Sequence, residues 1–140
     1  IMKIQNKYTK LFLEVLMNTK LPFKEARLRD DFGEEVAKAY KKFEDNRIKL
    51  CVSLCEKDKD KKPKTETYTD QDGTSKERYV FGKNAEKFNK ELTILQDEIA
   101  NIPLKSGDAK KIVAFMEKTE YIPNVGEAKI IDKEIISKVV

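Results

Sequence analysis

Cys51 and Cys55 stand four apart in a helical pattern and so share one face. Two thiolates at that spacing could form half of a soft-metal site, but a closed site needs four ligands. The chain has no other cysteine and no histidine, so the pair is expected to be two small, half-buried thiols that hold no metal. The lack of histidine also excludes Ser-His-Asp and Cys-His nucleophiles and His-based pH switching. Asp70-Gln71-Asp72-Gly73 opens like a calcium loop, yet the glutamate required eleven residues after the first aspartate is replaced by Phe81. Those side chains are read instead as capping a turn. Asp58 and Asp60 alternate with lysines that would compete with any cation. Asp30, Asp31, Glu34 and Glu35 place carboxylates at i, i+4, but among Arg27, Arg29 and Lys38 they are explained by surface pairing. Five glycines leave no Gly-rich phosphate loop. The chain reads as non-enzymatic, with no catalytic residue and no cofactor.

The residues that remain suit binding. Thr65–Thr69 and Lys76–Phe81 flank a turn centred on Asp72-Gly73, the pattern of a β-hairpin with a two-residue loop. With that turn, Tyr68, Tyr79 and Phe81 fall on one face, with Glu66 and Glu77 among them, and Lys76 and Arg78 fall on the other. Aromatic and Arg side chains are the common anchors of protein interfaces, and aromatics beside cations can stack nucleic-acid bases. The same face could also simply pack on a helix, since a lone hairpin is marginal in water. Arg47 occupies a core slot of a helical seam, where it must find a carboxylate such as Glu91 or Glu98, snorkel out, or face a partner. Lys3, Lys7, Lys10, Arg27 and Arg29 form an N-terminal basic face. Residues 1–30 hold seven basic and three acidic residues, a surplus of four that equals the net charge of the whole chain.

Four helical runs must position these groups. Asn6 is a plausible cap for a first helix over about 7–18, with Leu11, Phe12, Val15 and Leu16 inward. Pro22 suits the first residue of the next helix, which runs from about Phe23 to Cys55. From Val36 its apolar steps alternate four and three through Tyr40, Phe43, Arg47, Leu50 and Leu54, a heptad seam, and Gly33 marks a weak point or bend. Residues 56–64 carry no apolar side chain beyond Pro63 and read as a solvated loop. Asn84 can cap a third helix over about 85–101, with Ala85, Phe88, Leu92, Leu95, Ile99 and Ile102 on one stripe. Ser106-Gly107-Asp108 begins a short helix containing Ile112, Val113, Phe115 and Met116, and Pro123 and Gly126 punctuate a loop. The tail over 128–140 reads two ways: its paired branched residues favour strand by propensity, while the Ile131, Ile135, Val139 spacing favours helix.

The fold expected is mainly α with a small β-hairpin. A long antiparallel helix pair carries a β-ribbon insertion at its tip (residues 56–82), with shorter packed helices over 103–140, in a single domain of 140 residues. No apolar run reaches the 18 or so residues needed to cross a bilayer, and the start lacks a signal peptide, so no membrane partner and an intracellular location are expected. Ile1 ahead of Met2 reads as an added residue.

Met2-Lys3-Ile4, the Leu-rich helix, Arg27-Leu28-Arg29-Asp30-Asp31-Phe32, the acidic-basic loop and Phe88-Asn89-Lys90-Glu91-Leu92 follow in an order that resembles a family of small uncharacterised helical proteins from tailed phages and prophages of low-GC Gram-positive bacteria. The resemblance covers about residues 2–100 and brings no catalytic residues. It implies a phage protein in the bacterial host cytoplasm, with a host protein as partner and a role such as inhibiting a host or defence protein. A nucleic-acid-binding accessory protein and a virion or assembly component are the alternatives, and self-association into a homodimer is a further option.

Overall fold

The computed structural model describes residues 2–18 and 20–118. The loop expected around Pro123 and Gly126 and the tail over 128–140, read as strand or helix, lie outside the described residues. In chain order the elements are β1 (Met2–Gln5), α1 (Thr9–Asn18), α2 (Phe23–Leu54), β2 (Thr65–Thr69), β3 (Ser75–Tyr79), α3 (Ala85–Asp97), β4 (Ile99–Ile102) and α4 (Ser106–Lys118), with single 3-10 turns at Asn6–Tyr8 and Gly82–Asn84. The architecture is mainly α with a small β-hairpin, as the periodicity predicts. The residues fall into two compact units, one built from the segments up to Phe43 and from Gln96 onward, the other from Glu44–Leu95.

The first unit has a strand pair that the sequence reading did not anticipate. β1 and β4 run antiparallel with Met2 opposite Ile102 and Ile4 opposite Ala100, and the Asn6 N–H extends the ladder by donating to Glu98 O at 2.9 Å. Met2-Lys3-Ile4-Gln5 alternates apolar and polar side chains, so Met2 and Ile4 are buried while Lys3 stays in water. The third helix therefore stops at Asp97 and not near Asn101. Beyond Asp97 the side-chain period is two, so Ile99 points outward and Ile102 inward.

Asn6 does not start an α-helix directly. Its residue opens a 3-10 turn, and its carbonyl accepts a hydrogen bond from the hydroxyl of the fully buried Thr9 at 2.8 Å, where α1 begins. Leu11, Phe12, Val15 and Leu16 then pack with Met2, Ile4, Phe32, Val36, Ile102, Ile112 and Met116 in one core. Every element of the first unit contributes to it.

Pro22 holds the place just before α2, where its carbonyl accepts the Ala26 N–H at 2.9 Å and its missing N–H costs nothing. The helix runs unbroken through Gly33, which is buried. A Cβ built there would sit 3.8 Å from Leu13 Cδ1 and from Met17 Sδ, ordinary contact distances. Gly33→Ala should therefore stabilise the protein by about 0.5–1 kcal/mol, by removing the entropic cost of a helical glycine. Thermal unfolding followed by circular dichroism checks this, and a lowered midpoint would show that the site is tighter than described.

In the second unit residues 56–64 are exposed apart from Pro63, as expected, but they are not shapeless. Asp58 Oδ1 accepts the backbone N–H groups of Asp60 (2.8 Å) and Lys62 (3.0 Å), and the Asp58 N–H donates to Lys62 O. This Asx-type turn substitutes side-chain bonds for the missing apolar core. Its base joins the ribbon: Glu56 N–H donates to Val80 O at 2.7 Å, and Lys64 N–H to Glu56 O at 2.8 Å. The Asn84 side-chain amide donates to Leu54 O at 3.0 Å, tying the start of α3 to the last turn of α2.

Candidate interaction surface on the β-ribbon

The ribbon forms, but its register differs by one residue from the expected one. Thr65 lies opposite Tyr79, Glu66 opposite Arg78, Thr67 opposite Glu77, Tyr68 opposite Lys76 and Thr69 opposite Ser75. The loop holds three residues, Gln71, Asp72 and Gly73, closed by Asp70 N–H to Thr74 O at 2.9 Å. Gly73 N–H returns to Asp70 O at 3.0 Å and Gly73 takes a φ of +81°, the conformation that ends this turn and that glycine adopts without strain. Asp70 Oδ1 accepts Gln71 N–H at 2.7 Å and Asp72 Oδ1 accepts Thr74 N–H at 2.8 Å, so the two aspartates cap the turn.

A slip of one residue exchanges the faces of a strand. Tyr68 and Tyr79 are consequently on opposite faces, which corrects the aromatic face expected from a two-residue turn. Arg78 and Lys76 share the face of Tyr68 and Glu66. Arg78 Cζ lies 4.8 Å from the Tyr68 ring centre, a cation–π distance, and its Nε donates to Glu66 Oε1 at 2.6 Å. Lys76 Nζ bonds Asp70 Oδ2. Tyr79 lies on the other face with Thr65, Thr67, Thr69, Ser75 and Glu77. Phe81 lies past the strand and stacks on Phe88 of α3, with centroids 3.9 Å apart and planes at 14°. It is a packing residue of the second unit, not a free anchor. Of the ten strand residues only Tyr68 and Tyr79 are even half-buried.

The turn carboxylates are tuned by their neighbours. The Lys76 ammonium and then the Gln71 N–H hold Asp70 below the usual carboxylate value, and hydrogen bonds from Thr74 do the same for Asp72. Both folded values lie below the ordinary 3.8, so their contribution is fully present above that value and is lost as pH falls through the depressed ones. The Gly73 and Thr74 amide resonances should hold steady from neutral pH down to about 4 and then move together in stronger acid. Movement at pH 5 to 6 would show that the turn is not held by these carboxylates.

Arg47 sits half-buried in its seam position, and the carboxylate it grips is Glu44 on its own helix, through Nε to Oε1 and Nη2 to Oε2, both at 3.0 Å. Cys51 and Cys55 are buried more deeply than anticipated, at 2% and 6% exposure. Burial pushes the Cys51 thiol up and the Arg47 guanidinium opposes this only in part, so Cys51 is a protonated core thiol and not a nucleophile. Cys55 stands just past the end of α2, and its Sγ accepts a bond from Lys57 Nζ at 3.4 Å.

Two of the five N-terminal basic residues have carboxylate partners. Lys7 Nζ is held by Asp97 Oδ1 at 2.7 Å, which raises the lysine above its ordinary value. Arg29 Nε meets Asp30 Oδ1 at 3.2 Å. Lys3, Lys10 and Arg27 are exposed on β1, α1 and α2 respectively. Among the described residues no helix is long and apolar enough to cross a membrane. Glu66 and Lys76 belong to the ribbon surface beside Tyr68 and Arg78. Counting a three-residue loop ending at Gly73 would have placed all four together.

Compared with protein-family models, curated proteins and solved structures, the chain matches none.

Proposed function

We propose that this chain is a non-enzymatic interaction protein that binds another protein through the Tyr68 face of its ribbon. One observation carries the reading: Tyr68 and Arg78 are held against each other on a ribbon whose two faces are both open to water. Tyrosine and arginine are both residue types enriched at the energetic centres of protein interfaces. Folding alone gives little reason to display it. The cations of that face already carry carboxylate partners, Arg78 with Glu66 and Lys76 with Asp70. The surface is therefore near neutral, which favours a protein over a phosphate backbone that would need uncompensated charge. The resemblance to phage proteins extends the proposal: the partner is a host protein in the bacterial cytoplasm, and the outcome of binding is inhibition of a host or defence activity.

The nucleic-acid reading draws on exposed Lys3, Lys10 and Arg27 and on no pairing of the ribbon. Affinity capture of the tagged chain from a lysate of a low-GC Gram-positive bacterium, with and without nuclease, separates the two. One dominant protein that survives nuclease and is lost with Tyr68→Ala or Arg78→Glu is the expected result. Capture that disappears with nuclease would overturn it in favour of nucleic acid. Recovery of the bait alone would favour a virion or assembly role.

A further inference from the structure

The ribbon ladder fixes which backbone groups face outward. Asp70 N–H donates to Thr74 O at one end and Val80 N–H donates to Lys64 O at the other, at 2.9 and 3.0 Å. In an antiparallel ladder bonded and non-bonded pairs alternate, so the even-numbered residues of β2 are the ones bonded to β3. Thr65, Thr67 and Thr69 stand in the non-bonded pairs, opposite Tyr79, Glu77 and Ser75. Their N–H and C=O groups point away from β3, all three residues are exposed, and among the described residues no further strand joins this sheet. An open edge of this kind is a template for another strand.

The residues along the edge specify which strand. From 64 to 70 they read Lys-Thr-Glu-Thr-Tyr-Thr-Asp. Laid antiparallel on a second copy with Thr67 opposite Thr67, this segment complements itself. Lys64 falls opposite Asp70, Thr65 opposite Thr69, and Glu66 opposite Tyr68. Each end pairs opposite charges, no like charges face each other, and the three central odd-numbered rungs are Thr–Thr pairs, a favourable cross-strand combination. The odd-numbered rungs are also the ones whose N–H and C=O groups are available to bond. The edge of β3 fails the same comparison. Centred on Glu77, it would set Glu77 against Glu77 and Lys76 against Arg78, all like charges.

We propose that two copies of this chain pair through their β2 edges about a two-fold axis, forming a four-stranded sheet in the order β3-β2-β2-β3. The arrangement is isologous and closed, so it stops at a dimer. It also extends the hydrogen-bonded ladder beyond a two-stranded ribbon, which is marginal on its own. The contact uses the edge of the ribbon and leaves the Tyr68 face open, so it stands or falls separately from the binding function above.

Sedimentation equilibrium of the full chain over micromolar to millimolar concentration tests it. The expected result is a monomer–dimer equilibrium that Thr67→Pro weakens about thirtyfold, the effect of losing the two reciprocal bonds at the central rung. Proline is tolerated there because the Thr67 N–H takes no part in the hairpin. A chain that stays monomeric throughout, or a dimer unaffected by Thr67→Pro with the ribbon folded, overturns the proposal. Should Thr67→Pro disrupt the ribbon, amide exchange of the unaltered protein decides. The Thr65, Thr67 and Thr69 amides should be protected in the dimer and exchange freely on dilution to monomer, while free exchange in the dimer refutes the contact.

Discussion

Phe12→Ala is expected to lower the stability of the first unit by about 3–5 kcal/mol, the usual cost of emptying a buried phenylalanine site. Phe12 has no exposed surface and lies in the core that β1, α1, α2, β4 and α4 share. That core is assembled from five different elements, so a space opened in it cannot close by moving one of them. Domains of this size are stable by only about 5–15 kcal/mol, so the variant should be close to its unfolding threshold at moderate temperature. Phe23 provides the comparison. It is 86% exposed in the first turn of α2, and Phe23→Ala should change stability by no more than about 0.5 kcal/mol. Denaturant unfolding followed by circular dichroism measures both. A loss below about 1 kcal/mol for Phe12→Ala would mean that the core is not packed as described.

Phe88→Ala should be the most damaging single change in the second unit, at about 3 kcal/mol. Phe88 is buried in α3 and carries the stacked ring of Phe81. Phe81→Ala should cost less, because Phe81 is only half-buried. The double variant should fall short of the sum of the two by about 0.5–1.5 kcal/mol, the range of aromatic pair coupling. The two core thiols provide a local readout. Cys51 and Cys55 should resist thiol reagents in the unaltered protein and label faster in Phe88→Ala, since burial is what protects them. If Phe81→Ala leaves both stability and thiol labelling untouched, the ring is free after all and returns to the list of binding residues.

The helices could be read from the chain because their signals are local. Leu11, Phe12, Val15 and Leu16 mark the buried face of α1, and Ile112 and Met116 that of α4. The turn residues Asp72-Gly73 located the ribbon. What stayed hidden depends on partners distant in sequence. β1 and β4 have four residues each, too few for a periodic pattern, and they become strands because Met2 finds Ile102. Ile99 and Ile102 also continue the three-four stepping of α3 by coincidence, so period alone extends the helix past its end. The ribbon register failed for a different reason. A glycine with positive φ closes both two-residue and three-residue hairpin loops, and the choice was made by the Asp70 and Asp72 caps. That single ambiguity moved Tyr79 to the far face and brought Arg78 and Lys76 beside Tyr68. The same caps explain how a charged stretch with few apolar residues can hold a defined shape.

The pairing of β1 with β4 has a consequence for how the protein is made. Met2–Gln5 leaves the ribosome almost a hundred residues before its partner strand. Closing so long a loop carries an entropic cost that local contacts avoid, and such contacts form late. Glu44–Leu95 is contiguous and can assemble as soon as it emerges. Until Ile99–Ile102 appears, the nascent chain carries Met2 and Ile4 on an unpaired strand, an interval in which a chaperone or a neighbouring nascent chain can compete for it. Slowing translation just before Ile99 would lengthen that interval, whereas slowing it after Ile102 would give the first unit time to close.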